Sequence, residues 1–137
     1  MVWIRNHVPY NAVLAVSNDR TPDTLPVAPF DVEYPAFTEH RTFREGWWYT
    51  QRAGDVGRSA VATGEKDPYP ERTALENAVF TRGDANAMRV MAKRYGVTHI
   101  VVSKSDGPVS PLTYRLGRVV YSNSAVDVIE VSPRLTR

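Results

Sequence analysis

Residues 84–103 read DANAMRVMAKRYGVTHIVVS, and this stretch decides the fold. Asp84 is a good N-cap residue, and the apolar side chains after it recur at helical spacing: Ala87, Met88, Met91, Ala92 and Tyr95. Gly96 is the residue expected just past a helix C-terminus, and residues 97–103 form an apolar, β-branched run typical of a buried strand. A helix, a glycine and a buried strand in this order indicate the second half of a β-α-β unit.

The stretch just before Asp84 predicts another helix, which begins near Pro70. Proline suits a first helical position, where its missing N–H has no intrahelical partner. Glu71 places negative charge where the helix dipole favours it. The predicted apolar stripe of this helix consists of Ala74, Leu75, Ala78 and Val79. Residues 81–83, Thr-Arg-Gly, end the helix.

Three further strands are predicted outside this region. Residues 12–17 form an apolar run that fits a strand buried on both faces, and we expect it to lie parallel to the strand at 97–103. Residues 118–122 and 126–131 predict two strands joined by a short turn, as in a β-hairpin.

The remaining segments carry weaker patterns. Residues 3–7 fit the last turn of a helix that Pro9 prevents from continuing. Residues 21–37 contain four prolines and predict an extended, irregular connection. The side chains expected to pin that connection to the domain are Phe30, Val32, Tyr34 and Phe37. Residues 47–50 have strand propensity.

These elements predict one α/β domain over residues 1–137, a three-layer, Rossmann-like arrangement with a mixed, partly parallel sheet and a C-terminal β-hairpin. A length of 137 residues suits a single domain. The composition, 42% hydrophobic and 23% charged, is typical of a globular protein rather than a disordered one. With no cysteine, the chain has no disulfide and no thiolate zinc site.

Charge and hydropathy argue against two classes of partner. The net charge is only +2, and the densest basic stretch, residues 41–44, is flanked by Glu39 and Glu45, so we predict no nucleic-acid binding. No segment approaches the ~20 apolar residues of a membrane span, and the first residues lack the order of a signal peptide. The chain as given is therefore predicted to be soluble, without a transmembrane segment.

The sequence carries no motif for a metal, a nucleotide or a catalytic nucleophile. The histidines, His7, His40 and His99, lack metal-ligand spacing, and His99 fits a buried strand better than a ligand role. No glycine-rich phosphate loop follows a strand, and no G-x-S-x-G motif occurs. We therefore predict no metal, no cofactor and no catalytic residue in this domain.

Residues 38–50 gather charge and aromatic rings more densely than any other stretch. The candidate ligand-binding residues there are Glu39, His40, Arg41, Arg44, Trp47, Trp48 and Tyr49, and Arg72 is added from the start of the predicted helix. Aromatic rings cover the apolar faces of sugars, while guanidinium groups bind hydroxyls or phosphate. In the alternative interpretation one tryptophan fills the core, and Glu39–Arg41 or Arg44–Glu45 are simple ion pairs.

The order and spacing of three segments, 37–50, 95–102 and 119–123, give the chain a family resemblance over nearly its whole length. It resembles the soluble, extracytoplasmic C-terminal domain of bacterial polytopic membrane proteins similar to C-type (GT-C) glycosyltransferases. The resemblance implies a location on the extracytoplasmic side of a bacterial membrane, as part of a larger protein. It also implies that catalysis belongs to the membrane region, which would be a partner of this domain.

Three functional hypotheses follow. In the first, the chain is a non-catalytic accessory domain that binds a glycan, a polyprenyl-phosphate headgroup or a partner protein. In the second, it is a small independent hydrolase that uses the acid and histidine cluster at residues 39–45, which requires these groups to share a concave pocket. In the third, it is a purely structural or protein-interaction domain, with a flat aromatic patch at residues 47–49.

Overall fold

The structure is a computed structural model, and it describes residues 1–17, 33–44, 67, 69–105 and 107–137, with residues 33 and 34 described by their backbone only. The helices are α1 (Val2–His7), α2 (Glu33–Thr38), α3 (Pro70–Arg82), α4 (Ala85–Tyr95) and α5 (Pro133–Thr136). The strands are β1 (Val13–Val16), β2 (Arg41–Thr42), β3 (Val97–Ser103), β4 (Gly117–Ser122) and β5 (Val126–Val131). A 3-10 helix at Pro111–Leu116 precedes β4.

The described strands form an open, five-stranded mixed sheet in the order β2-β1-β3-β5-β4. β1 is parallel to β2 on one side and to β3 on the other, which confirms the predicted parallel pairing of the two buried strands. β5 runs antiparallel to β3 and to β4. The fold is therefore α/β with a partly parallel sheet, as the sequence predicts.

The apolar core lies on both faces of this sheet. Along β1 the side chains alternate, so that Val13 and Ala15 join one cluster while Leu14 and Val16 join another. The first cluster includes the buried side chains of α3 and α4, and the second includes Ile4 of α1. A strand covered on both faces needs apolar residues throughout, which explains the continuous apolar run that β1 shows in the sequence.

The boundaries of α4 are set by local chemistry, as predicted. The Asp84 carboxylate accepts hydrogen bonds from the backbone N–H groups of Asn86, at 2.8 Å, and Ala87, at 3.1 Å. These bonds hold the pKa of the Asp84 carboxyl below its ordinary value. Gly96 ends the helix with φ of 73°, in the left-handed region that glycine adopts without penalty.

The start of α3 is also confirmed, with Pro70 in its first turn. Asp67 fixes the approach to this helix, because its carboxylate accepts hydrogen bonds from the backbone N–H of Tyr69, at 2.7 Å, and from the Thr73 hydroxyl. The predicted stripe is only partly correct. Ala78 and Val79 are buried, but Ala74 is exposed, since the helix buries Glu76 and Phe80 instead.

Two predictions for the connecting segments are wrong. Part of the segment predicted to be irregular, residues 21–37, is helical, because α2 begins at residue 33. Pro35 is tolerated there, since it lies in the first turn, where N–H groups have no intrahelical partner. Phe37 does not pin this segment to the domain, because 63% of its surface is exposed. Phe30, Val32 and the side chain of Tyr34 lie outside the described residues, as does the strand predicted at 47–50.

None of the helices in the described part of the chain combines the length and the apolar character that crossing a membrane requires.

Candidate functional site

Among the residues that the structure describes, a concave polar region lies at the amino ends of the parallel strands. A cavity of about 180 Å³ there is lined by Val13, Arg41, Thr42, Phe43, Arg72 and Tyr95. A larger cavity of about 420 Å³ is lined by Tyr69, Pro70, Glu71, Arg72, Arg94 and Tyr95. Because both cavities have Arg72 and Tyr95 in their walls, we treat them as one site, the Arg41–Arg72 cleft.

Secondary structure brings distant parts of the chain together at this cleft. Arg41 opens β2 and lies opposite Val13, the first residue of β1, in the parallel register. Arg72 lies in the first turn of α3, and Tyr95 is the last residue of α4. The cleft therefore forms where the beginning of one helix, the end of the next and the starts of two strands meet.

Arg72 is held in the cleft by a hydrogen bond and by three aromatic rings. Its Nη1 donates a hydrogen bond of 3.0 Å to the carbonyl oxygen of Phe43. Its guanidinium carbon lies 5.2 Å from the ring centre of Tyr69, 5.0 Å from that of Tyr95 and 5.6 Å from that of Phe43, all within cation–π range. A guanidinium has five N–H donors, and the hydrogen bond described for Arg72 uses one of them.

A second guanidinium faces the same aromatic ring. The guanidinium carbon of Arg94 lies 5.2 Å from the ring centre of Tyr95, and this arginine forms an ion pair with Glu71. The rings of Tyr95 and Phe43 form a T-shaped contact, with ring centres 5.1 Å apart. Tyr95 is thus both a core-packing residue and the wall against which two cationic groups lie.

Among the described residues, the lining of the cleft carries an excess of positive charge. Its lining includes three guanidinium groups, those of Arg41, Arg72 and Arg94, and the carboxylate of Glu71. Arginine binds planar anions through paired N–H donors, and the tyrosine rings supply apolar surface beside them. Chemically, the arrangement is suited to binding a phosphate or carboxylate attached to a group with an apolar face.

The structure places Arg41 and Arg72, two of the residues predicted from the sequence, in this cleft. It places Glu39 and His40 elsewhere. The Glu39 carboxylate forms an exposed ion pair with Arg5 at 2.6 Å. The His40 ring is buried, with Nδ1 2.7 Å from the carbonyl oxygen of Thr38 and Nε2 3.2 Å from that of Val8 and 3.1 Å from that of Pro9. His40 therefore has a structural environment of backbone carbonyls.

Arg44 is also held inside the domain, in an ion pair with Glu76. The three predicted aromatic residues, Trp47, Trp48 and Tyr49, lie outside the described residues, and so does Glu45.

The sequence alone does not identify Tyr69, Arg94 and Tyr95 as residues of the cleft. Arg94 fits a cation at a helix C-terminus, and Tyr95 fits an apolar stripe; both descriptions are correct. What brings them to Arg72 is the packing of α3 against α4, for which the sequence holds no local signal.

His99 is a buried residue of β3, as predicted, and its Nδ1 lies 2.9 Å from the Thr98 hydroxyl. Burial lowers the pKa of His99, because it disfavours the charged form. Glu130 acts in the opposite direction, and His40 acts in the same direction as burial.

The opposite edge of the sheet, at the carboxyl ends of β1 and β3, carries a separate polar network. The Asp127 carboxylate accepts hydrogen bonds from the hydroxyls of Tyr114, at 2.8 Å, and Ser122, at 2.5 Å, and forms an ion pair with Lys104 at 2.8 Å. Burial acts to raise the pKa of Asp127, but the bonds from Lys104, Ser122 and Tyr114 outweigh it and lower this pKa. Burial, together with the bond to Asp127, raises the pKa of Tyr114 to about 12.

A cavity of about 420 Å³ adjoins that network, lined in part by Ser103, Lys104 and Tyr114. The Lys104 ammonium already binds Asp127, the Ser122 hydroxyl and the carbonyl oxygen of Asn123. An ammonium has three donors, so these contacts use its whole capacity. The network therefore stabilises the sheet edge and is a weaker candidate for ligand binding than the cleft.

Within the described ranges, no group of three or more histidine, aspartate or glutamate side chains is arranged to hold a metal ion. No family model, no curated protein and no solved structure matches the chain.

Proposed function

We propose that this chain is a recognition domain that binds a phosphate-bearing headgroup in the Arg41–Arg72 cleft and does not itself catalyse a reaction. The observation that carries the proposal is the meeting of Arg41 and Arg72, from different elements, in the wall of one cavity. Arg72 is preorganised by its bond to Phe43 and by the rings of Tyr69 and Tyr95. Preorganisation lowers the entropy that binding costs, and so favours affinity.

The ligand class follows from the chemistry of the cleft. Paired guanidinium groups bind the oxygens of planar carboxylate groups and of tetrahedral phosphate groups. The excess of positive charge in the lining favours a group with more than one negative charge, which phosphate monoesters carry near neutral pH. The rings of Tyr69 and Tyr95 give such a group an apolar neighbour, which suits a sugar attached to the phosphate.

The biological setting rests on the family resemblance. We propose that the domain is the extracytoplasmic accessory domain of a bacterial membrane protein resembling a GT-C glycosyltransferase, and that the ligand is a glycan phosphate or a polyprenyl-phosphate headgroup. In this setting catalysis belongs to the membrane region of the larger protein, which is the partner of this domain. A binding domain beside that region would hold its substrate or product near the membrane surface.

The same proposal includes the finer description of the fold, a three-layer, Rossmann-like domain with a C-terminal hairpin. Its support is that β1 contributes to two apolar clusters, one with α3 and α4 and the other with α1. The antiparallel neighbours β4 and β5, which are separated only by residues 123–125, support the hairpin.

The hydrolase hypothesis has less support. It needs an acid and a histidine that face one pocket, whereas Glu39 pairs with Arg5 at the surface and His40 lies among backbone carbonyls.

The proposal is tested by isothermal titration calorimetry of the full chain with glucose 1-phosphate, and with glucose as the neutral control. We expect saturable binding of the phosphate ester alone. Arg72→Gln and Arg41→Gln should each weaken it by roughly tenfold or more, since each removes a charge-assisted hydrogen bond. The matched control is Arg118→Gln, which removes a guanidinium of β4 that pairs with Glu130 of β5. Equal affinity in all three variants would refute a site in the cleft.

A vesicle experiment separates the two sources of phosphate. Phosphatidylcholine vesicles with and without a polyprenyl phosphate are sedimented with the protein. Binding only to the polyprenyl-phosphate vesicles, and its loss in Arg72→Gln, indicates a lipid-linked headgroup. Binding of free glucose 1-phosphate without vesicle binding indicates a soluble glycan phosphate instead.

A further inference from the structure

One ion pair lies in the lining of the larger cavity of the Arg41–Arg72 cleft. Glu71, in the first turn of α3, pairs with Arg94, in the last turn of α4. Both side chains are more than half exposed, at 57% for Glu71 and 62% for Arg94. Exposed pairs of this kind contribute little to stability, because water screens them and both long side chains lose freedom. Another anion can therefore replace the Glu71 carboxylate at low cost.

The position of Glu71 is explained by the charges around it. Arg72 and Arg94 both lie over the ring of Tyr95, at 5.0 Å and 5.2 Å from its centre, so two like charges share one wall of the cleft. The Glu71 carboxylate compensates them from the same lining. The Glu71 carboxylate is therefore bound to the Arg94 guanidinium, which an anionic ligand would otherwise bind.

We infer that Glu71 is a tethered competitor for the ligand: its carboxylate occupies the Arg94 guanidinium in the free protein, and the phosphate group of the ligand replaces it on binding. This inference rests on the proposed function, since it concerns how the same cleft is regulated. Competition by Glu71 lowers the affinity of the cleft for its ligand below the affinity that the three arginines alone would give.

The exchange is favourable for a phosphate ester and less so for a monoanion. A phosphate monoester offers three acceptor oxygens and nearly two charges, whereas the carboxylate offers two oxygens and one charge. The displaced Glu71 loses little, because it remains at the N-terminus of α3, where the helix dipole favours negative charge. Competition of this kind selects doubly charged ligands over singly charged ones.

The test compares Glu71→Gln with the wild-type chain, using inorganic phosphate and glucose 1-phosphate as probes in calorimetric titrations. The amide keeps the shape of the side chain and removes its charge. We expect the Kd for both probes to fall by about three- to tenfold, since the carboxylate that competes for the Arg94 guanidinium has been removed. The matched control is Glu130→Gln, which breaks the exposed pair with Arg118 and should leave Kd unchanged.

A second background shows whether Glu71 acts through Arg94. In Arg94→Gln, the further change Glu71→Gln should improve affinity by less than twofold, because there is no guanidinium left to release. An equal improvement in both backgrounds would show that the charge of Glu71 acts only at long range and not by pairing with Arg94. That result would overturn the inference that Glu71 competes with the ligand.

The proposed function and this inference fail in different ways. If the wild-type chain binds neither probe and Glu71→Gln binds neither, both are overturned. If binding occurs and depends on Arg72, but Glu71→Gln leaves Kd unchanged or raises it, the binding function stands and the competitor is overturned.

Discussion

Arg44 and Glu76 form an ion pair inside the domain, with Nη1 of the arginine 3.4 Å from Oε2 of the glutamate. Only 6% and 3% of the two side chains are exposed. The pair joins the segment directly after β2 to the middle of α3. Arg41 lies in β2 and Arg72 lies in α3. The ion pair therefore helps to set the distance between the two arginines of the proposed site.

This pair predicts that a single substitution at either residue is strongly destabilising. Glu76→Gln removes a buried charge that pairs with the Arg44 guanidinium, so the free energy of unfolding should fall by about 3 kcal/mol or more. Arg44→Met should have a similar effect. Urea unfolding followed by circular dichroism measures both. Arg118→Met, which breaks an exposed pair, is the control and should change the free energy of unfolding by less than about 0.5 kcal/mol.

His40 provides a second prediction, which separates the structural role from a catalytic one. Its ring nitrogens contact the carbonyl oxygens of Thr38, Val8 and Pro9, which ties the end of α2 to the segment after α1. His40→Ala should reduce the free energy of unfolding by about 2 kcal/mol, since it removes buried hydrogen bonds and leaves a cavity. The Kd for glucose 1-phosphate should stay within twofold of the wild-type value. A large loss of affinity in a folded His40→Ala protein would place His40 in the binding site instead.

Asp127 predicts a dependence of stability on pH. Its pKa in the folded protein lies below the value of about 3.9 expected for an unfolded chain. A group with a lowered folded pKa contributes stability that is complete above the unfolded pKa. That contribution is lost as the pH falls from about 4 through the folded pKa. Urea unfolding of wild type and Asp127→Asn between pH 2.5 and 7 should therefore show a difference that is largest above about pH 5 and shrinks toward the acid end.

A constant difference between the two proteins over the whole range would contradict this role of Asp127. The variant itself should be less stable by about 2 kcal/mol at neutral pH, because Lys104 and two hydroxyls lose a charged acceptor.

Local signals in the sequence were sufficient to predict the helix–strand unit around residue 96. Asp84 and Gly96 set the ends of α4 through contacts within a few residues of themselves. The parallel pairing of β1 with β3 also followed, because only a strand covered on both faces is apolar throughout. These features depend only on neighbouring residues in the sequence or on burial. The types of residue and their spacing are therefore sufficient to predict them.

The features that the sequence did not reveal depend on contacts between distant residues. The helix α2 was missed because Pro35 suggests a break, although a proline in a first turn removes no hydrogen bond. The two-residue strand β2 has no pattern of its own, and it exists because Arg41 and Thr42 pair with β1. The cleft combines residues 41, 72 and 95, whose meeting depends on this pairing and on the packing of α3 against α4.

The most direct test of the proposed function is an NMR titration of the ¹⁵N-labelled full chain with glucose 1-phosphate, read at the backbone amides and the arginine side chains. We expect saturable shifts that map to the cleft, at Arg41, Phe43, Arg72, Arg94 and Tyr95, with none of comparable size at Lys104 or Asp127. Unchanged spectra at saturating ligand, or shifts confined to the opposite edge of the sheet around Ser103 and Lys104, would contradict a phosphate-binding cleft.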